Sequence, residues 1–346
     1  MGLLKYIGRK VVYTFLLLLL VVAFNFLLFQ ILPFIVSCPT ISYNDCVTRL
    51  YLPEQPPRGI TNVTEWQTHL RARLYHAYGF DQSIPVRFVD YVKNMFSFNF
   101  GYNIGSALQL AGPVWTSIQQ RAPYTIILLG SSTVASFVFG IGLGVVASAK
   151  RGKVLDVSSL AALLFVNALP VFFLGGILEL FELGITGKAY QSVGALTYGQ
   201  FSWAAWAGLL QALFLPFLTL TLVGLGGVFL TQRAVMIDTL GEDYVIMARA
   251  KGVRERTVLF KHALRNAVLP IVTAFALSIG FILSGAIITE TVFQWPGLGK
   301  AIYSAISSQD FPFTQAMFFI ITLMVLVSLF AADIAYGFLD PRVSRD

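Results

Sequence analysis

EDYVIMARAKGV, at residues 242–253, is a short charged stretch between two long apolar runs. Glu242 and Asp243 suit a helix N-terminus, where the helix dipole favours anions. Gly252 can end that helix as a left-handed residue. Small side chains and cations precede this glycine: Ala248, Arg249, Ala250 and Lys251. The helix is too short and too charged to span a membrane. The pattern therefore predicts a helix at the membrane surface, and we expect it to present its small residues outward.

The composition around this stretch is that of a membrane protein. Of 346 residues, 56% are hydrophobic and only 12% are charged, whereas a soluble domain carries about 25% charged residues. This imbalance excludes an ordinary soluble enzyme, and it also excludes a disordered chain, which needs the opposite composition.

Charge-free runs indicate the membrane spans, since a spanning helix needs about 20 mostly apolar residues. The fourth run is long enough for two spans, but it begins with the polar, glycine-rich stretch Ala189–Ser202, so we expect one span near Trp203–Leu230. The sequence therefore predicts six transmembrane helices. The runs are Val11–Val36, Ala122–Ala149, Val157–Leu178, Ala189–Gln232, Asn266–Thr289 and Phe311–Ala332.

The distribution of Lys and Arg predicts the orientation, because cytoplasmic loops are enriched in both. With the N-terminus inside, the short outer loops hold only Lys188 and Lys300. The net charge of +7 is then mainly a topology signal, and nucleic acid is not expected as a partner. The inner segments hold Lys5, Arg9, Lys10, Lys150, Arg151, Lys153, the basic block 233–265, Arg342 and Arg345.

This orientation places the large polar segment 37–121 outside. Its residues Cys38 and Cys46 are the only cysteines of the chain. Disulfides persist outside the cell, so we expect a bridge between these two, with two unpaired thiols as the alternative. A metal site is not expected, because two cysteines without a nearby histidine do not complete a four-ligand set. Asn62 begins an Asn-Val-Thr glycosylation sequon, although many sequons are never used.

Two interpretations of the inner segment are open. A second basic helix follows Gly252, so the segment can form a rigid helix–turn–helix whose first helix enters a groove of another protein. Alternatively, it is a basic loop that only anchors two spans, and composition alone favours this, since basic inner loops are the rule.

A resemblance favours the first interpretation. The inner segment resembles the coupling loop of ABC importer permeases, in the version found in B-type subunits of the dipeptide/oligopeptide permease family. The Glu-Ala-Ala of the wider superfamily falls at Ile246-Met247-Ala248, and the insertion 38–79 has no counterpart. The resemblance extends to FDQSIPVRF (80–88), NALPVFFLG (167–175), TETVFQWPGLG (289–299), DFP (310–312) and LDPR (339–342).

The resemblance implies an all-α integral membrane protein with the type I ABC importer permease fold. It implies six transmembrane helices with both termini inside, and an extracytoplasmic insertion between the first two. Such a chain is a non-catalytic subunit in the cell membrane. It pairs with a C-type permease subunit, with two ATP-binding subunits that hold ATP and Mg, and with an extracytoplasmic solute-binding protein. Peptides are the expected substrate, and oligosaccharides are the alternative.

The same resemblance implies a division of the chain. Residues 1–36 form the N-terminus and first span, 37–121 the extracytoplasmic loop, 122–342 the permease core with the coupling loop 233–265, and 343–346 the tail. The residues expected to couple to the ATPases are Glu242, Asp243, Tyr244, Ala248, Arg249, Ala250, Lys251 and Gly252.

Polar residues within the spans are candidates for the substrate pathway, namely Ser131, Ser132, Thr133, Asn167 and Ser278. Glycines 140, 142 and 144 are expected to permit close helix packing. Glu290 is one of few ionisable residues near a span, and such residues are functional candidates.

Two other classes of protein fit the sequence less well. A membrane-embedded enzyme is not supported, since the sequence has no H-E-x-x-H motif, and the chain lacks the phosphate loop of an ATPase. We expect no cofactor and no metal in this chain. A channel that works without ATPases would need no surface-mounted coupling helix.

Overall fold

In this computed structural model, the described residues are 3–31, 64–65, 68, 82–103, 112–191, 203–308 and 310–339. Among them the secondary-structure elements are helices, apart from one isolated β-bridge between Tyr102 and Pro113, which confirms the all-helical prediction there. Cys38, Cys46 and Asn62 lie outside the described residues, so the disulfide and the glycosylation stay predictions.

The chain divides into two compact units, one of residues 1–123 and 298–346 and the other of residues 124–297. The helices are α1 (Leu3–Phe26), α2 (Ile84–Phe96), α3 (Val114–Ala149), α4 (Val154–Ala168), α5 (Val171–Thr186), α6 (Trp203–Leu240), α7 (Asp243–Ala250), α8 (Glu255–Thr257), α9 (Leu264–Ala267), α10 (Leu269–Phe281), α11 (Ile287–Val292), α12 (Leu298–Ser307) and α13 (Phe311–Leu339). Short π-helical turns follow α1 (Leu27–Ile31) and α8 (Val258–Ala263), and a 3₁₀ turn follows α10 (Ile282–Ser284).

In the first unit, buried amide side chains join α1 to α13. The Asn25 side chain donates a hydrogen bond to the Gln315 carbonyl at 3.0 Å, and the Gln30 amide donates to the Gln315 side-chain oxygen at 3.1 Å. Both helices are otherwise strongly apolar. In such surroundings paired amides fix the register of two helices better than aliphatic contacts do, because an unpaired polar group there is costly.

Helix α2 runs antiparallel to α1 within the first unit. Arg87, near its start, donates to the carbonyl of Gln30 at the far end of the π-helical turn, 2.6 Å away. One turn later the Tyr91 ring lies 5.3 Å from Phe26, and at the end of α2 the Phe96 ring lies 6.4 Å from Phe15. The chain thus returns along the first span after leaving it.

In the second unit, two glycines allow α3 and α6 to pack closely. A Cβ added at Gly140 would lie 2.8 Å from the Val228 side chain, and one at Gly144 would lie 2.9 Å from Gln232. Glycines four residues apart form one smooth helix face. The packing prediction is confirmed at these two glycines and is wrong at Gly142, which has nothing within 4 Å.

Within the described residues, four helices are long and apolar enough to cross a membrane, and two bent helix pairs pass the same test together. The count reaches the predicted six when each bent pair is one span. The fourth apolar run forms the single helix α6, as predicted. The four helices are Ile7–Ile31, Val114–Ala149, Ala207–Leu240 and Phe311–Ala331.

The third predicted span is not a continuous helix. Helices α4 and α5 meet at an angle of 105°, because Leu169 before the proline is extended and Pro170 starts the next helix. Proline lacks an N–H donor and disfavours helical geometry in the residue before it. A bend of 56° also separates α9 from α10, at the start of the fifth predicted span.

Candidate functional site

The predicted short helix is α7, and both of its ends follow the sequence signals. Glu242 occupies the N-cap position with extended backbone, and Asp243 lies in the first turn. At the other end Gly252 has a φ of +76°. Its N–H donates to the Arg249 carbonyl at 2.9 Å, and the next N–H, of Val253, donates to the Ala248 carbonyl at 3.3 Å. This pair of bonds is a Schellman motif, which confirms the predicted role of Gly252.

An apolar cluster anchors α7 to the ends of the long helices α3 and α6. Val245 of α7 is fully buried in this cluster, and Val253 packs against it after the helix ends. Because side chains in such a core interdigitate at high density, a push on α7 reaches α3 and α6 directly. The other buried members are Val145, Met236, Val258, Leu259, Ala263 and Ala267.

Polar contacts connect α7 to the helices that follow it. Arg249 forms a two-bond ion pair with Glu255 of α8, at 2.7 and 3.2 Å. The Asn266 side chain of α9 donates to the Tyr244 hydroxyl at 2.8 Å. These groups are exposed, so the ion pair contributes at most about 1 kcal/mol, and its main effect is to orient α7.

The exposed face of α7 carries large apolar side chains among charged ones. Ile246 is 52% exposed and Met247 58% exposed, with Tyr244 at 41%. Ala250 and Lys251 are also exposed. Adjacent exposed apolar side chains on a short charged helix make this surface a candidate contact for another protein.

The expectation that Ala248 is presented outward is wrong. Ala248 is only 8% exposed, because it lies three residues after the fully buried Val245 and therefore shares its helix face. The sequence analysis missed Ile246 and Met247 as surface residues. Placing Val245 on the inner face would have identified them, since positions one and two residues later then point away from it.

A buried ion pair near the anchoring cluster was also missed. Arg233 of α6 contacts Asp156 of α4 through two hydrogen bonds of 2.6 and 2.8 Å. The Gly152 N–H donates to the same carboxylate at 2.9 Å. Asp156 is 1% exposed. This pair fixes the start of α4 against α6 one turn before Met236, which belongs to the cluster that holds α7.

The candidate pathway residues all lie in the second unit, on α3, α4 and α10. The side chains of Ser131, Ser132 and Ser278 donate to carbonyls of their own helices, and Asn167 donates to the Val223 carbonyl of α6 at 3.2 Å. Thr133 is half-buried. None of the five lines either of the two cavities given for the described residues.

The segment that follows α10 is held by a buried carboxylate. The Thr125 hydroxyl donates to Glu290 at 2.9 Å, and Glu290 has no exposed surface. The Trp295 indole N–H donates to the Tyr124 carbonyl at 3.0 Å. Gly297 lies so close to Glu290 and Thr125 that a Cβ there would be 2.5 Å from both side chains.

Comparison with known proteins assigns the chain to a family. The profile described as "Binding-protein-dependent transport system inner membrane component" matches residues 140–345, which include α7, its anchoring cluster and the Glu290 segment. The chain belongs to this family. It is therefore a multi-pass membrane component of a transport system, and the family consists of permease subunits rather than enzymes.

Individual members of this inner membrane component family are similar over most of the chain. The Di/tripeptide transport system permease protein DppB of Pseudomonas aeruginosa is 30% identical over 309 residues, covering 84% of this chain and 90% of its own length. The Dipeptide transport system permease protein DppB of Escherichia coli is 29% identical, and the Oligopeptide transport system permease protein AppB of Bacillus subtilis is 32% identical; each alignment covers 79% of this chain and 84% of the relative.

Proposed function

We propose that this chain forms half of the membrane pathway of an ABC importer for di- and oligopeptides. Family membership and the names of the three relatives support the transport of peptides. The observation that carries the coupling role is the exposed apolar face of α7 on a helix that is anchored to α3 and α6. The proposed partners are a C-type permease subunit, two ATP-binding subunits that hold ATP and Mg, and an extracytoplasmic solute-binding protein.

In this proposal, α7 occupies a groove on an ATP-binding subunit and transmits its motion. Ile246 and Met247 supply the apolar contact, while Glu242, Asp243, Arg249 and Lys251 supply charge around it. An amphipathic helix in a groove is a common mode of recognition. Because Val245 is packed into the cluster with α3 and α6, movement of the ATP-binding subunit shifts the inner ends of both helices.

The proposed membrane arrangement is six spans with both termini in the cytoplasm of the cell, in its plasma or inner membrane. The pair α4 and α5 then counts as one span and α10 supplies another, residues 37–121 form the outer insertion, of which α2 returns along α1, and the loop 233–265 lies inside. The basic residues of that loop support this orientation, since cytoplasmic loops are enriched in Lys and Arg.

Ser131, Ser132, Thr133, Asn167 and Ser278 are proposed to contact the passing peptide. Ser131 and Ser278 act in this proposal as acceptors, because a hydroxyl that donates its proton to its own helix keeps lone pairs for another donor. Peptide N–H groups are such donors. Contacts of this kind hold a peptide backbone without selecting its side chains.

The coupling role is tested by changing both exposed apolar residues of α7 to aspartate, Ile246→Asp with Met247→Asp. We expect at least a tenfold loss of peptide uptake and of substrate-stimulated ATP hydrolysis, with the chain still inserted in the membrane. Arg256→Gln is the matched control, because Arg256 is exposed on the neighbouring helix α8. Normal coupling in the double variant would contradict the proposal.

Substrate class is tested separately by competition for uptake in cells that carry the complete transporter. An unlabelled tripeptide should reduce uptake of a labelled tripeptide, and a trisaccharide at the same concentration should not. If the trisaccharide competes and the tripeptide does not, the peptide assignment is overturned, while the coupling role is unaffected.

A further inference from the structure

A cavity of about 320 Å³ lies in the second unit, between α5 and the end of α11. Glu179 is the only charged residue among the described residues that line it. Ligand sites usually combine an apolar wall with a few polar groups in this way, and this volume is at the small end of their range. The apolar residues of the wall include Leu180, Leu183, Val292 and Phe293.

A second carboxylate lies beside the cavity. Glu182 follows Glu179 by three residues, so the two share one face of α5. The Glu182 Oε2 atom is buried and has no hydrogen-bond partner in the described part of the chain. Burial raises the pKa of the Tyr190 hydroxyl, and the negative charges of Glu179 and Glu182 raise that pKa further. Because Tyr190 is itself a lining residue, the charge of both carboxylates reaches the cavity.

Within the described residues, neither Glu179 nor Glu182 has a cationic partner. The ion pairs given for those residues are formed by other side chains. Lys188 is the cation closest in sequence, but it is exposed and forms no ion pair among them, and the run 189–232 has no charged residue. Ionisable groups in or near a membrane span are costly and mark functional sites. A cationic ligand would supply the partner that this chain does not.

The helices on both sides of the cavity are interrupted within the third and fifth predicted spans. Helix α5 begins at the 105° bend after α4, and α11 follows a 3₁₀ turn and Gly285, which has a φ of +74°. Non-helical backbone at membrane depth occurs where it is buried in protein or lines a water-filled cavity. In many secondary transporters, interrupted helices of this kind form the substrate site. These breaks favour a ligand that passes through the protein over a membrane lipid.

We propose that this cavity binds the amino-terminal residue of the transported peptide. The peptide ammonium group pairs with Glu179, and the nearby charge of Glu182 strengthens the attraction. The first side chain of the peptide lies against Leu180, Leu183 and Val292. In the proposed orientation the cavity is at the outer end of the third span, where the peptide arrives. The inference rests on the proposed transport of peptides.

The test uses the purified full chain in detergent, titrated with trileucine and with N-acetyl-trileucine and followed by native mass spectrometry. We expect the unchanged chain to bind trileucine at least about tenfold more tightly, the low end for a hydrogen bond to a charged group. Glu179→Gln should lose this preference by binding trileucine about tenfold more weakly, and Glu182→Gln should have a smaller effect. Asp238→Asn is the matched control, since Asp238 is exposed on α6 and outside the cavity.

Thermal unfolding without ligand checks the fold of each variant. Glu179→Gln should be at least as stable as the unchanged chain, because it removes one of two neighbouring like charges. Equal trileucine affinity in Glu179→Gln and the unchanged chain would overturn the site. An unchanged chain that binds both peptides equally, or neither at millimolar concentration, would also overturn it.

A second ligand distinguishes the source of the ammonium group. Phosphatidylethanolamine carries the same group on a lipid, and Glu179-dependent binding of this lipid without binding of trileucine would overturn the peptide assignment. Failure of the proposed function gives a different result. In that case trileucine binds the purified chain in a Glu179-dependent way but does not compete for uptake by the complete transporter.

Discussion

At Gly297 the backbone passes directly beside the buried carboxylate of Glu290, and this proximity makes the position sensitive to any side chain. We expect Gly297→Ala to destabilise the purified protein by about 1–3 kcal/mol, the usual cost of overpacking. Glu290 cannot simply turn away, because it is fully buried and accepts a hydrogen bond from Thr125. Thermal or denaturant unfolding of the purified protein measures the change.

Gly184→Ala provides the comparison for this change. A Cβ at Gly184 would have nothing within 4 Å, so the change should be neutral or stabilise the helix by up to about 1 kcal/mol. Equal stability of the two variants would show that the carboxylate and the glycine are not as tightly packed as the geometry indicates.

Single residues were predictable where local backbone chemistry decides their role. Gly252 ends α7 in a left-handed conformation, and sequence predicts this because glycine alone adopts it at little cost. Ala248 was not predictable in the same way. Its burial depends on which face of α7 meets α3 and α6, and the side chains that set this face are far away in sequence.

At the scale of helices, the pair Asp156–Arg233 holds α4 against α6. Asp156→Asn removes the charge and one of the two hydrogen bonds that Arg233 donates, and a hydrogen bond to a charged group contributes about 1.5–3 kcal/mol. The Arg233 side chain is 20% exposed, so we expect a loss near the lower end of that range. The measurement is the thermal unfolding of the purified protein together with peptide uptake.

The double variant Asp156→Arg with Arg233→Asp restores a pair of opposite charges. It should recover part of the stability that Asp156→Asn loses, although Gly152 then no longer has a carboxylate to bond. A double variant less stable than Asp156→Asn would mean that the hydrogen bonds to Asp156, rather than the pairing of charges, hold these helices.

Apolar runs predicted where most of the long helices lie, but not their direction. The run near Trp203–Leu230 was correctly assigned to one helix, because its polar first part cannot span. The run Val157–Leu178 predicts one span, although it contains Pro170. The apolarity of a segment indicates only that it suits a membrane. The 105° bend has a different cause, because Pro170 lacks the backbone N–H that would continue the helix.

For the whole molecule, the proposed orientation predicts which lysines face the outside. In a background with Cys38 and Cys46 replaced by serine, we expect Lys188→Cys to react with a membrane-impermeant maleimide in intact cells. Lys153→Cys should react only after the membrane is permeabilised, because the inner segment that contains it is predicted to be cytoplasmic. Both lysines are exposed, so access to them depends on the side of the membrane.

The opposite labelling pattern would reverse the orientation, and it would also remove α7 from the reach of any cytoplasmic ATP-binding subunit. Labelling of both positions in intact cells would contradict a bilayer between them.

The class of the whole protein was predictable from composition, since 12% charged residues cannot cover the surface of a soluble protein of this length. The pathway residues were not predictable to the same degree. Ser131, Asn167 and Ser278 were chosen because they are polar within apolar runs, but in the structure they bond to helix carbonyls. Polarity alone does not distinguish a contact with substrate from a contact between helices.

The π-helical turn at Val258–Ala263 is a place where the chain can gain or lose one residue in evolution. A π-helical turn holds one residue more than an α-helical turn, and it absorbs that residue locally. Loss of a single residue here would convert the turn to α-helix while Glu255 before it and Asn266 after it kept their contacts with α7. Relatives that are one residue shorter in this region are therefore best aligned with their gap inside the turn, where an insertion can arise or disappear without rebuilding the loop.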